Sequence, residues 1–216
     1  MLIHPWDAAV DEGEWRGWIA EGRDFGQLAV NGFDGGPPVV VPTHAAPVSG
    51  ALLVHLARPN PVWQALGDGD PVTFTVIDDY AFVPGPWRAR SGTDPLDGVP
   101  TSYYSAVRFT CRAELVDDPA AKAELLTRQL AHFQPEGDHA EVTPDGPPYG
   151  RMLSGIRGLV LHVVEAAAKF KYDDHRPVAL REDVADRLTG RGGRDAGAAD
   201  RQRRRIKAVG PWEKRG

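Results

Sequence analysis

Apolar and polar positions alternate most cleanly between Tyr104 and Leu115. There Val107, Phe109, Cys111, Ala113 and Leu115 interleave with Arg108, Thr110, Arg112 and Glu114. A period of two predicts a strand with one buried and one polar face. Shorter runs at Phe25–Val30, Val39–Val48, Ala51–Leu56, Val72–Ile77 and Leu159–Val164 predict further strands, with Asp34-Gly35-Gly36 and Ser49-Gly50 as turns among the first of them. Helical spacing appears at Trp15, Trp18 and Ile19 within Glu12–Gly22, at Leu126, Leu130 and Phe133 after Asp118-Pro119, and at Leu180, Val184 and Leu188 after Pro177. Pro61–Leu66 is a short helical turn. Pro84–Pro100, crowded with Gly and Pro and without periodicity, reads as a long ordered loop or lid. Six or so strands joined mostly by short turns, with helices at the ends, describe a mainly β fold: an antiparallel barrel with flanking helices. Such a barrel leaves an open side, which makes a homodimer with a site at the subunit boundary an expectation.

The length of 216 residues suits one domain. Residues 1–189 are expected to form the barrel with its helices, and residues 190–216 a basic terminal helix or tail of the same domain. One cysteine excludes an internal disulfide or a thiolate cluster, and Cys111 on the apolar face reads as a packed core thiol. No apolar run reaches membrane-spanning length and the start resembles no signal peptide, so a cytoplasmic setting is expected. Charge is uneven. Residues 190–216 hold nine of the 25 basic and three of the 30 acidic residues, leaving 16 against 27 elsewhere. An acidic body repels nucleic acid, so DNA contact would have to come from the tail. The Arg201–Arg205 run is expected to form the solvated face of a helix, and Gly190–Gly197 separates the last two helices too widely for a helix-turn-helix.

Motif chemistry is mostly negative. There is no glycine-rich dinucleotide loop, no phosphate loop, no paired His spacing for zinc and no serine elbow at Ser154. Asp173-Asp174-His175 beside Pro177 reads as the cap of the following helix. The positive signal is His55-Leu56-Ala57-Arg58-Pro59-Asn60-Pro61-Val62-Trp63, which presents an imidazole and a guanidinium at a strand end. Arg suits a phosphate or carboxylate and His can ligate iron, so this is a site for an anionic cofactor, or else a hairpin end paired with surface carboxylates. His44 competes with His55 for any ligand role. Tyr103 and Tyr104 could wall a flat cofactor or staple the loop to the barrel. Lys169-Phe170-Lys171-Tyr172, just after the last strand, could bind an anion or form a solvated edge.

These segments resemble the PaiB-like FMN-binding split-barrel family over nearly the whole chain. The matching pieces are Phe25-Gly26-Gln27-Leu28, Pro42-Thr43-His44, the His55–Trp63 run, Val99-Pro100-Thr101 and Ala113-Glu114-Leu115-Val116-Asp117-Asp118. The resemblance implies a split β-barrel homodimer with a flat cofactor at the dimer interface. Flavin-type members usually read Pro-Thr-Trp-Asn-Tyr where this chain has Pro100-Thr101-Ser102-Tyr103-Tyr104, and Trp87-Arg88-Ala89-Arg90 stands in place of their usual aromatic pair. The Ser-Tyr-Tyr variant and the Lys169–His175 run look closer to the piperazate synthases, which bind haem and join the two nitrogens of N5-hydroxyornithine. That branch implies haem b, with FMN as the alternative. His55 is then the axial iron ligand with His44 second, and Arg58, Asn60 and Trp63 are further cofactor contacts. Tyr103, Tyr104, Lys169 and Lys171 are the catalytic candidates, and Arg88 and Arg90 face the substrate carboxylate. The other readings are an FMN-dependent oxidoreductase and a cofactor-sensing regulator.

Overall fold

A computed structural model describes residues 1–212. Seven strands form one sheet in the order β2-β1-β5-β6-β7-β4-β3, where β1 is Phe25–Val30, β2 Val39–His44, β3 Ala46–Val48, β4 Ala51–Ala57, β5 Pro71–Val83, β6 Thr101–Val116 and β7 Ile156–Lys171. The helices are α1 (Glu12–Ala20), α2 (Val62–Ala65), α3 (Pro119–Phe133), α4 (Tyr149–Leu153), α5 (Val178–Arg191) and α6 (Asp195–Val209). No described helix is long and apolar enough to cross a membrane. The described chain divides into two compact units. Unit 1 holds Met1–Glu21, Ile77–Val107 and the chain from Ala167 on; unit 2 holds Gly22–Val76 and Arg108–Ala166. Residues 213–216 of the expected basic tail lie outside the described residues.

Unit 2 is the barrel, and its closure follows from connectivity. The two edge strands β2 and β3 are separated in sequence only by Ala45. A flat seven-stranded sheet would hold its edges about 29 Å apart, at about 4.8 Å per strand spacing, whereas two residues reach only about 7 Å. The sheet must therefore curl. Val39–Val48, expected as one strand, runs along the seam: its first half pairs antiparallel with β1 (Phe25 opposite His44), Ala45 N–H bonds Asp24 O at 2.8 Å, and its second half pairs antiparallel with β4 (Ala46 opposite Leu53). Ala45 and Ala46 are buried, as a tight crossing requires. Leu125 of α3 packs with Ala46, Leu53 and Val116 to fill one end of the barrel core. Gly158 on β7 permits that approach, since a Cβ there would stand 3.0 Å from Val116 and 3.1 Å from Leu125. The buried stripe of α3 is Lys122, Ala123, Leu125 and Gln129, which corrects the expected Leu126, Leu130 and Phe133 face. Cys111 is buried, as the alternation required.

Unit 1 carries most of the corrections. β5 continues well past Ile77 because Asp79, at φ 55°, inserts a bulge that shifts the buried set from Val72, Phe74 and Val76 to Asp79, Ala81 and Val83. β7 continues to Lys171, so Lys169 and Lys171 lie in the strand and not after it. Asp173 and Asp174 do not cap α5, whose N-cap Pro177 has no side-chain cap; both carboxylates are buried. Asp174 binds Arg181 at 2.6 Å and Arg205 at 2.5 and 2.7 Å, and Arg205 also binds Glu14 at 2.6 Å. Arg201 and Arg205 are therefore buried, while Arg203 and Arg204 pair with Asp186 and Glu21 nearer the surface. The expected solvated arginine face is half an internal ion-pair layer. Only Gly192-Gly193-Arg194 separates α5 from α6, and the two helices pack on each other, a closer junction than the Gly190–Gly197 spacer suggested. Pro84–Pro100 is an ordered loop with two short 3-10 turns, Gly85–Arg88 and Pro95–Asp97.

Candidate functional site

The two-residue turn Ser49-Gly50, with Gly50 at φ 73°, fixes the register of the β3–β4 hairpin: Val48 faces Ala51, Pro47 faces Leu52 and Ala46 faces Leu53. Extended by two residues, the same register sets His44 opposite His55. Their rings meet edge to face with centroids 5.3 Å apart, both side chains half-buried at the barrel seam. Phe133 of α3 packs edge-on against His44 at 4.8 Å, and His132 binds Asp24 at 3.0 Å. Burial, and then the neighbouring His55, push the His44 pKa below the usual value.

Gln129, also on α3, orders His55. Its Nε2 donates to the Leu53 carbonyl at 2.8 Å, and its Oε1 lies 2.6 Å from His55 Nδ1. No sequence signal singled out Gln129, since a polar residue on a helix reads as solvent-facing until its fold neighbours are known.

The rest of the His55–Trp63 run builds the turn beside the seam. Asn60 Oδ1 accepts from Val62 N–H at 3.0 Å, and Trp63 Nε1 donates to Ala57 O at 2.9 Å. Arg58 donates to Ser154 O at 3.1 Å and to Asp117 at 3.0 Å, and Arg157, stacked over Trp63, binds the other oxygen of Asp117. Two guanidinium groups hold the Asp117 carboxyl below the usual carboxylate range, with Arg157 the larger cause. The Arg58 pair is half exposed. Arg58→Ala is expected to lower stability by no more than about 1 kcal/mol, read as a small shift in the urea midpoint.

The other candidates belong to unit 1. Tyr103 is 1% exposed, donates to Asp173 at 3.2 Å and accepts from Gln202 at 3.3 Å. Burial, then Asp173, raise its pKa far above the phenol range. Arg88 binds both oxygens of Asp173, at 2.7 and 3.1 Å, and the Val99 carbonyl. Asp173 sits at φ 56°, a left-handed position held by Arg88 and Tyr103. Tyr104 lies under two ammonium groups, Lys169 at 5.6 Å and Lys171 at 5.9 Å from its ring centre. Lys169 donates to Leu2 O, and Lys171 to Thr101 and Ser102 O. Burial lowers the Lys171 pKa. Arg90 is exposed. The structure thus brings His44 and His55 together in unit 2, and Tyr104, Lys169 and Lys171 together in unit 1. Among the described residues no group of three or more His, Cys, Asp or Glu could hold a metal ion on protein ligands alone.

This barrel has recognisable relatives. Residues 1–165 match the model of the family described as the putative FMN-binding domain, and the chain belongs to that family. No curated protein matches the sequence significantly. Among solved structures the chain is similar to the flavocytochrome Anf3 from Azotobacter vinelandii (22% identity, 77% of this chain and 70% of that one, TM-score 0.58). It is also similar to a putative 5-nitroimidazole antibiotic resistance protein from Bacteroides thetaiotaomicron (13% identity, 75% and 85%, TM-score 0.56). A third is the FAD and haem binding protein from Mycobacterium smegmatis (17% identity, 76% and 73%, TM-score 0.55). At these identities the likeness establishes the shared fold, an antiparallel split barrel with flanking helices.

Proposed function

We propose that this chain is a haem enzyme with His55 as the axial ligand, closing L-N5-hydroxyornithine to L-piperazic acid with loss of water. One observation carries the reading: His55 Nδ1 is engaged by Gln129, and its Nε2 makes no hydrogen bond among the described residues. An imidazole anchored through one nitrogen, with the other left to a metal, is the usual arrangement of an iron-ligating histidine. His44 beside it is the second choice of ligand. Two arms of Arg58 already bind Ser154 O and Asp117, which leaves that guanidinium less free to clamp a flavin phosphate. The relatives named as a flavocytochrome and as an FAD and haem binding protein support haem as a cofactor for this fold.

When bound, haem supplies an iron centre that weakens the hydroxylamine N–O bond. The reaction forms the N–N bond between the α-amine nitrogen and N5, breaks N5–O, and releases the hydroxyl with an amine proton as water, without net oxidation. Gln129 orients His55, and the edge-on His44, backed by Phe133, packs beside it. In unit 1, Lys169 and Lys171 over Tyr104 form a separate cationic group, and Arg90 is exposed. Arg88 and Tyr103 support that unit through Asp173. The reading includes a homodimer and a cytoplasmic setting.

The FMN alternative rests on family membership. Absorption separates the two. Protein expressed with haem precursor should show a Soret band that shifts with dithionite, and should convert L-N5-hydroxyornithine to a product lighter by one water. A yellow, two-banded spectrum that bleaches would overturn the haem reading in favour of FMN.

A further inference from the structure

We infer that Gln129 is a positioning residue that fixes the tautomer of His55 and so leaves Nε2 as the ligating atom. The inference rests on the reading of His55 as a ligand, and its logic is a chain of hydrogen-bond polarities. A backbone carbonyl can only accept. Because Gln129 is 3% exposed and bonded to Leu53 O at 2.8 Å, the amide end facing that carbonyl must be Nε2. The other end, Oε1, can only accept as well. His55 Nδ1, 2.6 Å away, must then carry the hydrogen. In a neutral ring this leaves the lone pair on Nε2. Leu53 is itself fixed between β3 and β7, opposite Ala46 and Val160, so the reference carbonyl cannot rotate away. The sheet thus sets the amide, and the amide sets the imidazole.

A neutral amide also differs from a carboxylate in this role. It orients the ring without drawing the Nδ1 hydrogen away, so the ligand stays an imidazole and does not gain imidazolate character.

The test is the tautomer in the ligand-free protein, read by long-range proton–nitrogen correlation with 15N-histidine labelling. Wild-type His55 should show Nδ1 protonated and Nε2 bare at a pH where the ring is neutral. Gln129→Leu should release the ring to the Nε2–H form, and Gln129→Glu, which keeps an acceptor, should hold Nδ1–H. Hemin titration of the same samples should then show Gln129→Leu binding about 10–100-fold more weakly than wild type. A wild-type ring protonated on Nε2, or an unchanged tautomer in folded Gln129→Leu, would overturn the inference. Hemin that fails to bind a wild-type ring of the expected tautomer would instead overturn the haem reading, while supporting the tautomer assignment. The wild-type spectrum is decisive even if a variant fails to fold.

Discussion

Asp174→Ala is expected to destabilise unit 1 by about 3–5 kcal/mol, the largest effect of any single substitution considered. Asp174 and Arg181 have fully buried side chains and Arg205 is 2% exposed, so solvent cannot replace the lost carboxylate. Arg205 would keep Glu14 and the carbonyls of Trp6 and Ala8. Among the described residues, Arg181 would keep only the carbonyl of Gly210 and lose its ion pair. The consequence is an uncompensated guanidinium in a low-dielectric interior, set against a total stability of about 5–15 kcal/mol for an ordinary domain. Urea unfolding followed through Trp18, itself bonded to Asp79 in unit 1, reads the loss directly. Asp174→Asn should fall between, keeping an acceptor without the charge. The double variant Asp174→Leu/Arg181→Met should recover much of the loss, since an apolar pair removes both buried charges together. An Asp174→Ala midpoint equal to wild type would refute the ion-pair layer as a support of unit 1.

The same layer shows why part of this fold was legible in sequence and part was not. Strands with local alternation were visible: β1 and β4 have nearly the bounds their apolar pattern predicts, and β6 carries Cys111 inward as expected. Patterns that change phase were missed. The Asp79 bulge breaks the alternation of β5, and the end of β7, Glu165-Ala166-Ala167-Ala168-Lys169, is composed of strong helix formers that tertiary pairing overrides. The buried face of α6 recurs at helical spacing as Asp195, Ala198, Ala199, Gln202 and Arg205, but a polar stripe reads as surface. Its partners Asp174 and Glu14 are 31 and 191 residues away, so no local window contains the pairing. At the seam, Ser49-Gly50 was visible as a turn and His44 and His55 as rival ligands, but their pairing, like Gln129 delivered by α3, emerged only with the fold.

Under the haem reading proposed above, His55→Ala is expected to weaken hemin binding by more than the roughly 10–100-fold assigned to loss of a supporting hydrogen bond, and to abolish the N–N closure. The substitution removes the only ring anchored by Gln129 and leaves Oε1 of that amide buried without a donor, a cost of about 1–3 kcal/mol that a melting curve would register separately. His55→Gln, which retains a donor toward the amide, serves as the folded control and should lose the Soret shift on reduction all the same. His44→Ala should keep the Soret band, because its ring is held by packing against Phe133 and His55 and not by a hydrogen bond that presents a nitrogen to a metal. Under the FMN reading the order reverses: Arg58→Ala would weaken the cofactor more than His55→Ala. Activity and cofactor spectrum persisting with both histidines replaced would eliminate axial ligation at the seam altogether. Ligation by His55 alone predicts one variant blind to hemin, one nearly normal, and an Arg58→Ala protein distinguished only by its small loss of stability.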